Sequence, residues 1–143
     1  ARPTAAIKAL GQHPLVTVSG WMADIRTGYV RGSMFVAPLF TGSGQQNKIL
    51  EAMAMGRPCI TTPLVNNAIQ ATEDQHLLIA EDAKSFAAKI IWLHTHPDQR
   101  ALFGHASRIW VDQHYSWEHS VKKLEDLLNS PAREKDVSEV ERK

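Results

Sequence analysis

Cysteine is almost absent from this chain. Cys59 stands alone among 143 residues, so no internal disulfide can form, which agrees with a reducing compartment and an expected cytoplasmic location. Long apolar runs are missing too: none reaches the ~18–20 residues that a membrane-spanning helix requires. Neither sign of charge dominates. Sixteen Lys and Arg stand against 15 Asp and Glu, a formal net charge of +1, which gives no general attraction to nucleic acid or to an anionic membrane. The seven histidines lack metal-site spacing. His94 and His96 point to different sides of a helix, and His105, His114 and His119 do not repeat at i, i+4, so no zinc centre is expected. There is no internal repeat. What remains is 43% apolar and 22% charged, the balance of an ordinary globular domain.

The pattern along the chain is that of alternating strands and helices, and hence of parallel βαβ units. Thr4 to Leu10 reads as the end of a helix. Leu15-Val16-Thr17-Val18 reads as a strand and Asp24 to Val30 as a helix. Ser33 to Leu39 is a second strand, Pro58 to Thr62 a third and His76 to Ala80 the last, with a helical turn over Leu64 to Gln70 between the last two. Beyond them the chain is helical. Phe86, Ala87, Ile90, Ile91 and His94 form one stripe, and Leu102, Ala106, Ile109 and Trp110 form another. Ser116 is placed to cap a final helix whose apolar side is Trp117, Val121, Leu124 and Leu128. Trp92, Trp110 and Trp117 are expected in the core; Trp21, just after a strand, suits either packing or stacking on a base. Residues 1–130 form the expected domain. Residues 131–143 are almost wholly polar or charged and are expected to be a disordered tail.

The most informative segment runs from Gly42 to Gly56. A glycine-rich turn, Gly42-Ser43-Gly44-Gln45-Gln46, leads directly into a short helix, and an apolar strand follows Gly56 at once. In a parallel sheet this turn lies at the carboxyl end of a strand, where ligands bind. The helix N-terminus offers backbone N–H groups and a positive dipole end, which suit phosphate. Ile49, Leu50, Met53 and Ala54 share the side expected to pack on the sheet, whereas Lys48 and Glu51 are neighbours on the other side. A solvated Lys48–Glu51 pair worth a few tenths of a kcal/mol is the plain alternative to a ligand role.

These residues resemble the nucleotide-sugar loop of retaining glycosyltransferases of family 4, in the C-terminal half of the GT-B fold. Leu50-Glu51-Ala52-Met53-Ala54-Met55-Gly56-Arg57-Pro58 is similar to the most recognisable run of that family. Val16-Thr17-Val18-Ser19-Gly20-Trp21-Met22-Ala23-Asp24, Pro38-Leu39 and Tyr115-Ser116-Trp117-Glu118 resemble its flanking signatures, and Gln46-Asn47-Lys48 resembles an exopolysaccharide branch. The likeness runs to about Leu128. It implies a Rossmann-like parallel sheet with flanking helices, part of the C-terminal domain of such an enzyme. Glu51 then stands where the family binds the ribose hydroxyls. Gly44, Gln45 and Gln46 would present backbone N–H groups to the diphosphate. Lys48 would lie near the diphosphate or pair with Glu51. Ser43 replaces the first of two glutamates separated by seven residues, so it can hydrogen-bond a sugar or phosphate without bringing charge.

The resemblance implies transfer of a sugar from a nucleotide diphosphate sugar donor to an acceptor glycan or lipid-linked sugar, with retention, in polysaccharide or glycoconjugate biosynthesis. The acceptor would bind through an N-terminal domain preceding Ala1. That part would also hold the family's basic clamp on the diphosphate and two further strands, between those near Val16 and Phe35. The 143 residues alone are therefore expected to be inactive and prone to self-association. No metal or cofactor is expected, because no carboxylate pair is placed to hold a metal to the diphosphate. No nucleic-acid partner is expected, and the intact enzyme would associate peripherally with membrane if its acceptor is lipid-linked. The rival readings are a nucleotide-sugar epimerase-like GT-B protein and a non-enzymatic binding module.

Overall fold

The computed structural model describes residues 3–42, Gly44 and residues 46–129. Its elements are α1 (Ala5–Leu10), α2 (Arg26–Arg31), β1 (Phe35–Ala37), α3 (Asn47–Ala54), β2 (Cys59–Thr61), α4 (Pro63–Ile69), β3 (Leu78–Ile79), α5 (Ala83–Thr95), α6 (Pro97–Tyr115) and α7 (Trp117–Asn129). The fold is mixed α/β, with a parallel sheet in the order β1-β2-β3. Val36 pairs with Ile60, and Ile60 in turn with Leu78.

Alternation along the strands divides the core into two layers. On one side Ala37 and Cys59 meet Tyr29, Ile49, Met53, Val65, Ile69 and the second half of α6 at Trp110 and Val111. On the other, Ile60 and Leu78 meet Phe86, Leu93 and Phe103, which come from α5 and the first half of α6. Each fully buried Ile or Leu contributes about 1.5–3 kcal/mol to this arrangement. The buried hydroxyls of the sheet have partners. Thr61 donates to the Ala37 carbonyl at 3.1 Å and Thr62 to the Leu39 carbonyl at 2.6 Å, which anchors the chain leaving β1 to the end of β2. Cys59 is fully buried; burial pushes its thiol up to about 12, and its Sγ lies 3.3 Å from the Arg57 carbonyl oxygen. It is a small core residue, as its strand position suggested.

Backbone geometry fixes α3. Gly56 follows the helix with φ +66° and donates to the Met53 carbonyl. Only glycine takes such a φ at little cost. Gly104 of α6 packs against this turn so closely that a Cβ there would collide with the Gly56 carbonyl oxygen.

Several expectations are corrected. Leu15–Val18 forms no strand; among the described residues no ladder reaches it, and Leu15 is 88% exposed. The buried residues of α3 are Ile49, Ala52 and Met53, with Leu50 half-buried and Ala54 exposed, because the helix is rotated toward α6. In α6 the buried residues are Phe103, Gly104, Ser107, Trp110 and Val111, while Leu102 and Ile109 face outward. In α5 the buried positions are Phe86 and Leu93, and Ile91 is exposed. Trp117 is 83% exposed, and the apolar stripe of α7 finds no partner among the described residues. Trp92 is partly exposed and stacks on His96 at 5.2 Å. Trp21, 89% exposed, has no packing role. The Ser116 cap does form, its Oγ accepting from the His119 N–H at 3.1 Å. The tail, residues 131–143, lies outside the described residues.

Gly104→Ala should destabilise the domain by about 1–3 kcal/mol, the usual cost of forcing volume into a packed contact. An unchanged thermal melt would show that the turn and α6 separate freely. Among the described residues β1 carries no strand on its outer edge. Because such an edge offers unpaired backbone groups to other chains, light scattering of the 143-residue chain should show association that grows with concentration. A high-melting monomer at every concentration would count against this.

Candidate functional site

The loop between β1 and α3 starts at the carboxyl end of β1, as the loop-helix-strand order requires. Gly42 and Gly44 both have positive φ, +130° and +76°. Gln46 precedes α3 and supplies no side-chain cap to it, so the first N–H groups of the helix depend on other acceptors. A cavity of about 250 Å³ opens here, walled by Thr41, Gly42, Gly44 and Gln46 on the loop side and by Leu64 and Asn67 of α4 on the other. A larger cleft of about 450 Å³ lies along α6 by His105, Arg108 and Asp112 and includes no loop residue. Of the loop residues singled out in the sequence, Ser43 and Gln45 lie outside the described residues.

Lys48 and Glu51 both point away from the core. They form no ion pair. The ion pairs among the described residues are Arg26–Asp24 and Lys89–Glu73. Instead, Glu51 Oε2 accepts a hydrogen bond of 2.7 Å from the Tyr29 hydroxyl, which reaches across from α2. Tyr29 is 8% exposed, and its ring meets Phe35 of β1 edge-on at 5.4 Å. Burial, reinforced by the bond to Glu51, pushes the phenol up to about 12, so it remains a proton donor at neutral pH. The sequence pattern pointed to Glu51 but not to Tyr29. The signal was there to use: a tyrosine on the inner side of a short helix must find a partner for its hydroxyl.

Lys48 lies in the first turn of α3 and Glu51 one turn further along, both exposed, and neither lines the cavity beside the loop.

The sequence pattern of the glycosyl transferases group 1 family matches residues 2–96. The chain belongs to this glycosyltransferase family. Sucrose-phosphate synthase from Thermosynechococcus elongatus has a similar solved structure, with a TM-score of 0.74 over 85% of the present chain at 22% sequence identity. At that identity the likeness is one of fold, namely the α/β fold of a GT-B glycosyltransferase. The glycosyltransferase chain described here spans 32% of that protein's length. A comparison with curated proteins gave no match.

Proposed function

We propose that this glycosyltransferase chain is the part that binds a nucleotide diphosphate sugar, and that the enzyme transfers the sugar with retention to a glycan or lipid-linked acceptor in polysaccharide or glycoconjugate biosynthesis. The observation that carries the reading is the placement of Glu51 one turn inside α3, held by Tyr29, beside a loop with two positive-φ glycines at the end of β1. Membership of the family supports glycosyl transfer. The donor, the retention and the pathway are parts of the proposal. In it Glu51 accepts from the ribose hydroxyls. The backbone at Gly44, Gln45 and Gln46 donates to the diphosphate, with Ser43 as a neutral hydrogen-bonding partner. Lys48 faces the diphosphate, since it is not engaged with Glu51. The leaving diphosphate gains negative charge as the glycosidic bond breaks, so positive groups and amides fixed around it stabilise the transition state. The acceptor would bind to a further domain. A cytoplasmic location and peripheral contact with a membrane belong to the same reading.

Calorimetric titration with UDP and GDP tests the proposal directly. Glu51→Gln should weaken binding by about 1–3 kcal/mol, the value of a hydrogen bond to a charged group. The fold should survive, because Glu51 is not a core residue. Equal affinity in wild type and variant would remove Glu51 from the site.

Gly44→Val separates the backbone from the phosphate and should abolish measurable binding. Because Gly44 sits at φ +76°, valine also strains the turn by about 1–3 kcal/mol, so a modest fall in melting temperature should accompany the loss. Normal binding by this variant would place the phosphate elsewhere.

A further inference from the structure

We propose that Tyr29 is a positioning residue of this site, whose hydroxyl holds Glu51 by Oε2 and leaves Oε1 to engage both hydroxyls of a ribose. This rests on the ribose reading of Glu51 given above. A glutamate on the outer side of a helix normally samples several rotamers, and ordering it on binding costs entropy. Here a residue 22 positions earlier in the chain removes that freedom beforehand, through a bond of 2.7 Å. The phenol cannot follow a swinging carboxylate, because its ring is buried and held edge-on against Phe35. Its pKa, raised by burial, keeps the proton on the tyrosine, so Glu51 remains the acceptor.

The consequence is selectivity for the sugar ring. A carboxylate has about four acceptor positions, and Tyr29 occupies one on Oε2. Two adjacent hydroxyls can then donate to a carboxylate whose orientation is already set. A nucleotide without the 2′-hydroxyl leaves part of that prepared acceptor unused. Sites built to hydrogen-bond a hydroxyl reject analogues that lack it much more strongly than apolar pockets reject a size change.

The test is titration of the full chain with UDP, GDP and the 2′-deoxy form of the tighter binder, alongside thermal melting. Wild type should prefer the ribonucleotide by about tenfold or more, the effect of one good hydrogen bond. Tyr29→Phe keeps the ring and removes only the hydroxyl. It should melt near wild type and weaken the ribonucleotide about three- to tenfold. It should affect the deoxy form less, so that discrimination shrinks. Added to Glu51→Gln, it should change nothing further. Phe35→Leu loosens the seat of the ring without touching the hydroxyl and serves as the packing control. If it reduced discrimination as much as Tyr29→Phe, the effect would belong to packing and the proposal would fall. Discrimination lost in Glu51→Gln but intact in Tyr29→Phe would overturn the role of Tyr29 alone. No effect of Glu51→Gln, or no binding by wild type, would overturn the ribose reading and this inference with it.

Discussion

The contact between Gly104 and the turn at Gly56 is the constraint on which the rest of the structure depends. It brings the axis of α6 down onto the junction of α3 and β2, with no side chain between two backbones. Gly56 must take a positive φ to end α3 and start β2 within so few residues, and Gly104 must lack a Cβ to let α6 cover that turn. Each glycine therefore serves a different need, one of conformation and one of space. Together they set the rotation of α3, and that rotation decides which side chains enter the core and which stay exposed. Ile49, Ala52 and Met53 go inward; Lys48 and Glu51 are left exposed.

A second link joins the site to the fold. Tyr29 belongs to the packed layer around Ala37, Ile49 and Cys59, yet its hydroxyl ends on a carboxylate outside that layer. The ring's apolar body is buried against the sheet, and the polar tip is satisfied by the Glu51 carboxylate, as aromatic residues with a polar end tend to be. Thr61 and Thr62 do similar service at the ends of the strands, where their hydroxyls take up the Ala37 and Leu39 carbonyls. The loop thus leaves a framework held from β1, β2 and α2. This is the rigid setting that a binding loop needs if ligand affinity is not to be consumed in ordering it.

The strands near Phe35, Ile60 and Leu78 and all the major helices could be read from the chain, because apolar runs and periodic stripes report burial directly. The cap at Ser116 was legible too. The errors in the helices have one physical source: the pattern reports that a helix has an apolar side, not which neighbour receives it. In α6 the true inner positions include Gly104 and Ser107, which do not register as apolar. Ser107 is buried because its hydroxyl donates to the His76 carbonyl at 2.6 Å, and Gly104 because the turn lies against it. Leu102 and Ile109 were therefore assigned inward by hydrophobicity and proved to face outward. Leu15–Val18 has the composition of a strand, but a strand exists only where a ladder is available, and composition cannot supply one. At the site, the resemblance pointed to Glu51. Its partner was not legible, because 22 residues separate Tyr29 from it and only the packing of α2 on β1 brings them together.

The charge balance of the loop follows from the same residues. Ser43 is neutral, so the segment from Gly42 to Glu51 holds one carboxylate and one ammonium. In the reading proposed here a second carboxylate in this segment would add repulsion toward a diphosphate, whereas the one present is bonded to a phenol. Like charges a few ångströms apart interact by about 4 kcal/mol at an effective dielectric of 20, so deleting one acid is a large change in such a site. What remains near the start of α3 is the positive end of its dipole and Lys48, both of which favour an anion. In the reaction proposed here a neutral Ser43 brings no acid of its own that would have to be neutralised. It gives up any chemistry that a charged group at position 43 could perform, and it leaves stabilisation of the departing diphosphate as the loop's main contribution to the reaction proposed here.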